Sequence, residues 1–365
     1  MPRAPLGNDP LEDAMRIGMI APPWFPLPPQ RYGGIEFVVS LLTEGLVARG
    51  HDVTLFASGD SETRARLSYI FARAPYEQME NGHHLEVMHS LDAYLRADEF
   101  DVIHDHDGLA SRAMGALVHR ITGTPVVATL HGPADPVTQK TLGSFRSELK
   151  FIAISDYQRQ GFPDLDFVGT IPNAIDVEHM PFSRQKDDYL LFIGRMTPDK
   201  GAHTAIEVAH RLDRRLIMGG KVNEGPEREY FATQVEPHLS DKVHYRGEVD
   251  HETKVRLYEH ARCTLFPIQW PEPFGLVMIE SLACGTPVIA MRQGSVPEVI
   301  EDGRNGFIVD TVDEMVEAFG RIDDIDPAEC RSSVQERFGH DAFITAHEEA
   351  YERLLGDGRS MGRRP

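Results

Sequence analysis

The feature that most restricts this chain is an alternation of short, apolar, β-branched runs with stretches of helical period, met twice along its 365 residues. In the first half the runs predict strands at Arg16–Ala21, Asp52–Phe56, Asp101–His104, Pro125–Thr129, Lys150–Ala153 and Phe167–Ile171. Short apolar strands separated by helices suit a parallel sheet covered on both faces. A polar connector, Asn173 to Asp188, carries Pro181 and the charged run Arg184 to Asp188 before the alternation restarts. Strands are then expected near Tyr189–Ile193, Leu216–Met218, Val243–Tyr245, Thr264–Phe266, Pro287–Ala290 and Gly306–Val309. At about 150 residues per domain the length suits two domains, placed at 1–172 and 187–338. The expected class is α/β, two Rossmann-like parallel-sheet domains facing across a cleft. A last amphipathic pattern over Asp341–Leu355 sets Phe343, Ile344, Ala350, Tyr351, Leu354 and Leu355 at helical spacing and needs a surface to pack on.

Charge narrows the partners. A formal charge of −20 opposes attraction to nucleic acid or anionic lipid, both of which present phosphate fields of the same sign. Any phosphate-bearing ligand must therefore be held by local cations. The first fourteen residues contain no sustained apolar run, and Glu280 interrupts the apolar stretch Gly275 to Met291, so neither a secretory leader nor a membrane span is expected. Cys263, Cys284 and Cys330 are too sparse for a disulfide framework and read as free thiols. The chain is expected to be soluble and cytoplasmic, with no stable membrane association and a short basic tail, Arg359–Pro365, that reads as a disordered end.

The most informative segment is Pro271-Glu-Pro-Phe-Gly-Leu-Val-Met-Ile-Glu280, followed by Ser-Leu-Ala-Cys-Gly-Thr-Pro-Val-Ile-Ala290, which reads as loop, helix, turn and strand. Phe274 and Gly275 lie at the helix start, where free N–H groups and the macrodipole favour phosphate oxygens. Glu272 precedes that start and Glu280 lies about one turn inside. A ligand with a diphosphate at the helix N-terminus meets a carboxylate at each end, and carboxylates accept from vicinal hydroxyls. The plain alternative is a helix-start acid and a solvated one, although Ile279 and Leu282 surround Glu280 with apolar residues.

These two glutamates, with seven residues and Pro-Phe-Gly-Leu between them, resemble the E-x7-E signature of the retaining glycosyltransferase family 4, which has the GT-B fold. The likeness extends through Gly294-Ser-Val-Pro-Glu-Val-Ile300 and Gly303-Arg-Asn-Gly-Phe307, and covers Met15 to Leu355. It implies a metal-independent transferase with an N-terminal acceptor domain, a C-terminal donor domain and the last helix, 341–357, crossing back onto the first. No cofactor is implied beyond a nucleoside-diphosphate sugar as donor substrate, with a small molecule or saccharide as acceptor. UDP-linked hexose is the first expectation from family frequency and a GDP-linked sugar the second.

Further elements carry the same resemblance. Leu191-Phe-Ile-Gly-Arg-Met-Thr-Pro-Asp-Lys-Gly201 puts Arg195 and Lys200 in one βα loop. On the residues alone they also read as surface charge, but the family uses such a pair as the diphosphate clamp. Arg31-Tyr-Gly-Gly-Ile-Glu36 precedes a helix, and Gly33 and Gly34 let backbone N–H groups approach an anion or form an ordinary hinge. The family sets its glycine loop against donor phosphates and acceptor. Glu280 would hold the ribose, Glu272 the hexose hydroxyls, and the backbone N–H groups of Phe274, Gly275 and Leu276 sugar and phosphate. His131 in Thr129-Leu-His-Gly132 reads as a structural histidine by itself, and by resemblance as the residue beside the transferred sugar. His104, Asp105, His106 and Asp107 invite a metal, but strand alternation sends neighbours to opposite faces, so a metal-free acceptor-side loop is expected. Ser155, Arg159 and Asn173 resemble cleft and hinge elements without an assigned role. Two alternatives of the same fold remain, a sugar-nucleotide epimerase and a non-catalytic nucleotide-sugar-binding protein. A dinucleotide enzyme is disfavoured because no Gly-x-Gly-x-x-Gly follows the first strand.

Overall fold

A computed structural model describes residues 14–31, 33–79, 82–223 and 225–361. The N-terminal segment, Tyr32 of the Gly-Gly element and the end of the basic tail lie outside the described residues. Among the described residues thirteen strands form two separate, wholly parallel sheets. The first contains β1 (Arg16–Ile20), β2 (Asp52–Phe56), β3 (Arg66–Ser68), β4 (Val102–Asp105), β5 (Val126–Leu130), β6 (Lys150–Ala153) and β7 (Phe167–Thr170), in the order β3-β2-β1-β4-β5-β6-β7. The second contains β8 (Tyr189–Ile193), β9 (Arg215–Gly219), β10 (Val243–Tyr245), β11 (Cys263–Phe266), β12 (Val288–Met291) and β13 (Gly306–Val309), in the order β10-β9-β8-β11-β12-β13. Only β3 has no counterpart among the expected strands. It is a three-residue edge strand, half-exposed and polar at both ends, so it carries no apolar run to read.

Both sheets are doubly wound, and in both the strand order reverses at the first strand of the unit. The switch points lie between β1 and β4 and between β8 and β11, where loops diverge to either face and leave a crevice at the carboxyl ends of the strands. The loops that leave these strands hold Pro22–Gly33, His106–Gly108, Gly194–Lys200 and Pro267–Gly275. Chain topology alone therefore brings the candidate motifs to two facing crevices.

Each sheet face is buried. One cluster fills the second unit, and two cover the opposite faces of the first sheet. The terminal helix, His340–Met361, completes one of the latter with Phe343, Ile344, Ala350, Tyr351 and Leu354. It packs closely on the first helix, Gly34–Ala48, where a methyl group on Gly45 would come within 2.4 Å of Ile344 Cδ1. The three cysteines are free and buried. No described helix is long and apolar enough to cross a membrane.

Candidate functional site

Two adjoining cavities wrap the N-terminus of the helix Leu276–Ala283. The first meets Arg31, Gly33 and Gly34 of the first unit and Arg195, Lys254 and Glu280 of the second. The second meets Gly34, His131 and Asn173 on one side and Lys200, Glu272 and Phe274 to Val277 on the other. Gly34, Gly194 and Leu276 border both. The ten residues singled out in the sequence thus gather in one continuous cleft. Gly33, Gly34, Arg195 and Glu280 line the first cavity, and Lys200, Glu272, His131, Phe274, Gly275 and Leu276 the second.

Local backbone devices hold this arrangement. Gly33 has φ 143, and a Cβ there would lie 2.7 Å from Pro29 Cβ, so only glycine fits the turn that opens the first helix. Gly294, with φ 55, presses on the backbone of Glu272, where a Cβ would lie 2.2 Å from the carbonyl oxygen. Next to it Ser295 N donates to Glu272 O at 3.0 Å, and Ser295 Oγ donates to Phe274 O at 2.8 Å. The loop after β12 therefore clamps the loop that carries Glu272. Across the units, Glu298 accepts from Asp156 N and Tyr157 N at 2.8 and 2.7 Å, joining the second unit to a helix start in the first.

The charged groups form three pairs. Arg195 Nη1 donates to Glu227 Oε1 at 3.0 Å, and Lys254 Nζ donates to Glu280 Oε1 at 2.6 Å. Lys200 forms a close ion pair with Glu272, whose Oε2 also accepts from Trp270 Nε1 at 3.0 Å. Glu280 is buried and its second oxygen accepts from Tyr258 at 3.2 Å. Lys200 and Glu272, expected to serve different parts of a ligand, thus face each other directly. A diphosphate entering the cleft would draw Lys200 and Arg195 away from carboxylates. Leu276 and Val277 at the start of Leu276–Ala283, where helix N–H groups lack partners within the helix, border the same space.

His131 follows β5, and its Nε2 lies 2.9 Å from His106 Nδ1. Burial pushes its pKa down to about 3, with Arg112 and His347 acting in the same direction, so the ring is neutral at physiological pH. The expectation of a loop over His104–Asp107 is corrected in part, because His104 and Asp105 belong to β4. Strand alternation continues past the strand end. His104 bonds Tyr351 Oη and Thr129 Oγ1, each at 2.7 Å, on one side. Asp105 accepts from Tyr94 and Ser111, each at 2.7 Å, on the other. Among the described residues no group of three or more histidine, cysteine or carboxylate side chains is placed to hold a metal.

Of the residues without an assigned role, Asn173 lines the second cavity. Ser155 caps a helix by accepting from Gln158 N at 3.0 Å, and Arg159 lies over the Phe167 ring, so neither lines the cleft. Sequence reasoning missed Lys254 and Glu227, since charged stretches such as His251–His260 read as solvated helix faces. Trp270, two residues before Glu272, was the visible signal for a partner to that carboxylate.

Comparison with known proteins agrees with this architecture. Residues 32–179 match the model of glycosyltransferase family 4, and residues 178–325 that of glycosyl transferases group 1. A phosphatidyl-myo-inositol mannosyltransferase of Mycobacterium leprae is 28% identical over 326 residues, covering 81% of this chain and 83% of that protein. The crystal structure of a glycosyltransferase involved in avilamycin A biosynthesis superposes with a TM-score of 0.69 at 27% identity, over 94% of this chain and 98% of the other. The sucrose-phosphate synthase of Thermosynechococcus elongatus, at 21% identity, shares the fold with a TM-score of 0.80 over 94% and 100% of the two chains. With consecutive family models spanning 32–325 and this doubly wound pair of sheets, the chain belongs to the family 4 glycosyltransferases of GT-B fold.

Proposed function

We propose that this glycosyltransferase moves a hexose from a nucleoside-diphosphate sugar to a soluble small-molecule or saccharide acceptor, with retention of anomeric configuration and without a metal. The observation that supports it best is the cleft around the start of Leu276–Ala283, with a carboxylate in each cavity and Arg195 and Lys200 beside them. Glu280 takes the ribose hydroxyls and Glu272 those of the hexose. The diphosphate lies between Arg195, Lys200, the Gly33-Gly34 turn and the N–H groups of Phe274, Gly275 and Leu276. The unit up to residue 172 then supplies the acceptor side and that from 187 to 338 the donor side.

In the transfer, the bond from the anomeric carbon to the diphosphate oxygen breaks and a bond to the acceptor oxygen forms on the same face. The acceptor proton passes to the departing diphosphate oxygen, so no side chain needs to become covalently bound. Arg195, Lys200 and the helix start carry the negative charge that grows on the leaving group, the task a metal would otherwise serve. The mannosyltransferase relative supports a hexose as the group moved. UDP is the favoured carrier and GDP the next. The charge of −20 favours a soluble acceptor and a cytoplasmic setting over an anionic membrane surface.

The test is thermal stabilisation of the purified chain by UDP, GDP, ADP and NAD, with and without chelator, for wild type and Glu280→Ala. At ~100 times its dissociation constant a ligand adds about 2.7 kcal/mol. Stabilisation by one nucleoside diphosphate, insensitive to chelator and lost in the variant, is expected. No stabilisation by any diphosphate, or a product of inverted configuration, overturns the reading.

A further inference from the structure

Behind His131 lies a second histidine whose hydrogen bonding has a consequence for the cleft. His106 is 2% exposed and follows β4, with its backbone N donating to Ile20 O at 2.9 Å. Its Nδ1 faces His131 Nε2 at 2.9 Å, and its Nε2 is buried without any hydrogen-bond partner. The ring is held from the far side by His104, at a centroid distance of 3.9 Å, and both nitrogens of His104 are engaged by Tyr351 and Thr129.

A 2.9 Å hydrogen bond between His106 Nδ1 and His131 Nε2 holds one proton, and burial keeps both rings neutral. Suppose it belonged to His131. His106 would then carry its own proton on Nε2, a buried N–H with no acceptor. Orphaned buried donors are rarer and costlier than under-used acceptors, so the proton belongs to His106 Nδ1. His131 Nε2 then accepts, and the proton of the neutral His131 ring must sit on Nδ1. That nitrogen has no protein partner among the described residues, and His131 lines the cavity with Lys200 and Glu272.

We propose that His106 is a positioning residue that locks His131 as the Nδ1–H tautomer, making it a hydrogen-bond donor to an oxygen of the transferred sugar. His131 has no free lone pair, so it takes no proton from the acceptor. The inference rests on the proposed placement of the hexose beside His131 and deepens it. Second-side partners of this kind set which imidazole nitrogen is protonated.

The experiment is long-range 1H–15N correlation NMR of the full chain labelled with 15N-histidine, the His131 signals being assigned with His131→Asn. Wild type is expected to show neutral rings with the proton on Nδ1 in both His131 and His106. In His106→Asp, whose carboxylate only accepts where Nδ1 donated, the lock is reversed and the His131 proton moves to Nε2. In His106→Asn, whose amide supplies a donor where Nδ1 stood, the Nδ1–H form of His131 returns. Release of UDP from UDP-glucose, or of GDP from GDP-mannose, gives the kinetic readout. kcat is expected to fall by roughly tenfold or more in His106→Asp with little change in KM, and to recover largely in His106→Asn. A wild-type His131 protonated on Nε2, or an unchanged tautomer in His106→Asp, overturns the proposal. The NMR result needs no donor, whereas failure of UDP and GDP to stabilise the wild type would overturn the donor reading alone.

Discussion

Glu36 provides a quantitative test of the turn that opens the first helix. The side chain is buried beside Gly33, and burial lifts its carboxyl from 4.5 to about 7. In the unfolded chain the same group titrates in the ordinary carboxylate range. Between these values the folded state holds a proton that the unfolded state has released, so stability falls as pH rises through the window and levels off above about 7. At about 1.4 kcal/mol for each unit of pKa, the full contribution is about 3 kcal/mol, of which about 2.5 kcal/mol falls between pH 5 and pH 8. Glu36→Gln keeps the shape and stays neutral, so the fall due to this site vanishes in the variant. Urea unfolding of both proteins at intervals from pH 5 to pH 8 measures it. The advantage of Glu36→Gln over wild type should widen by about 2.5 kcal/mol across that range. Stability curves that run parallel would refute the assignment of a buried carboxyl whose neutral form is native.

Three other outcomes follow from particular contacts. Gly294→Ala places a methyl group 2.2 Å from the Glu272 carbonyl, and should cost about 2 kcal/mol in a thermal melt while displacing Glu272 and reducing sugar turnover more than diphosphate binding. Tyr351→Phe strips a 2.7 Å partner from the buried His104 Nδ1, and should destabilise by about 1–3 kcal/mol in denaturant unfolding although Tyr351 lies on the terminal helix far along the chain. Lys254→Met leaves buried Glu280 without its 2.6 Å counter-charge, and a loss of about 3 kcal/mol is expected by the same measurement, whereas Lys254→Met with Glu280→Gln should regain most of it.

Much of the fold was legible because its signals are local. A strand such as Leu190–Phe192 is apolar on both faces, and a helix such as Asp341–Leu355 shows its stripe within four turns, so alternation, parallel sheets and the break at Asn173–Asp188 can be read along the chain. β3 escaped because a half-exposed edge of three residues has no such pattern. Glu272 and Glu280 stood out for the same local reason, a carboxylate set inside an apolar helix and another at its start. What the tertiary structure decided were pairings between residues distant in sequence. Lys200 meets Glu272, Lys254 meets Glu280, and His106 meets His131 only because separate loops and helices of each unit converge at the carboxyl ends of its strands. Ser155 likewise became a helix cap and not a cleft residue. A side chain's type and period are properties of its own segment, but its charge partner, tautomer and burial depend on which other segments arrive beside it, and that is set by packing across the whole chain.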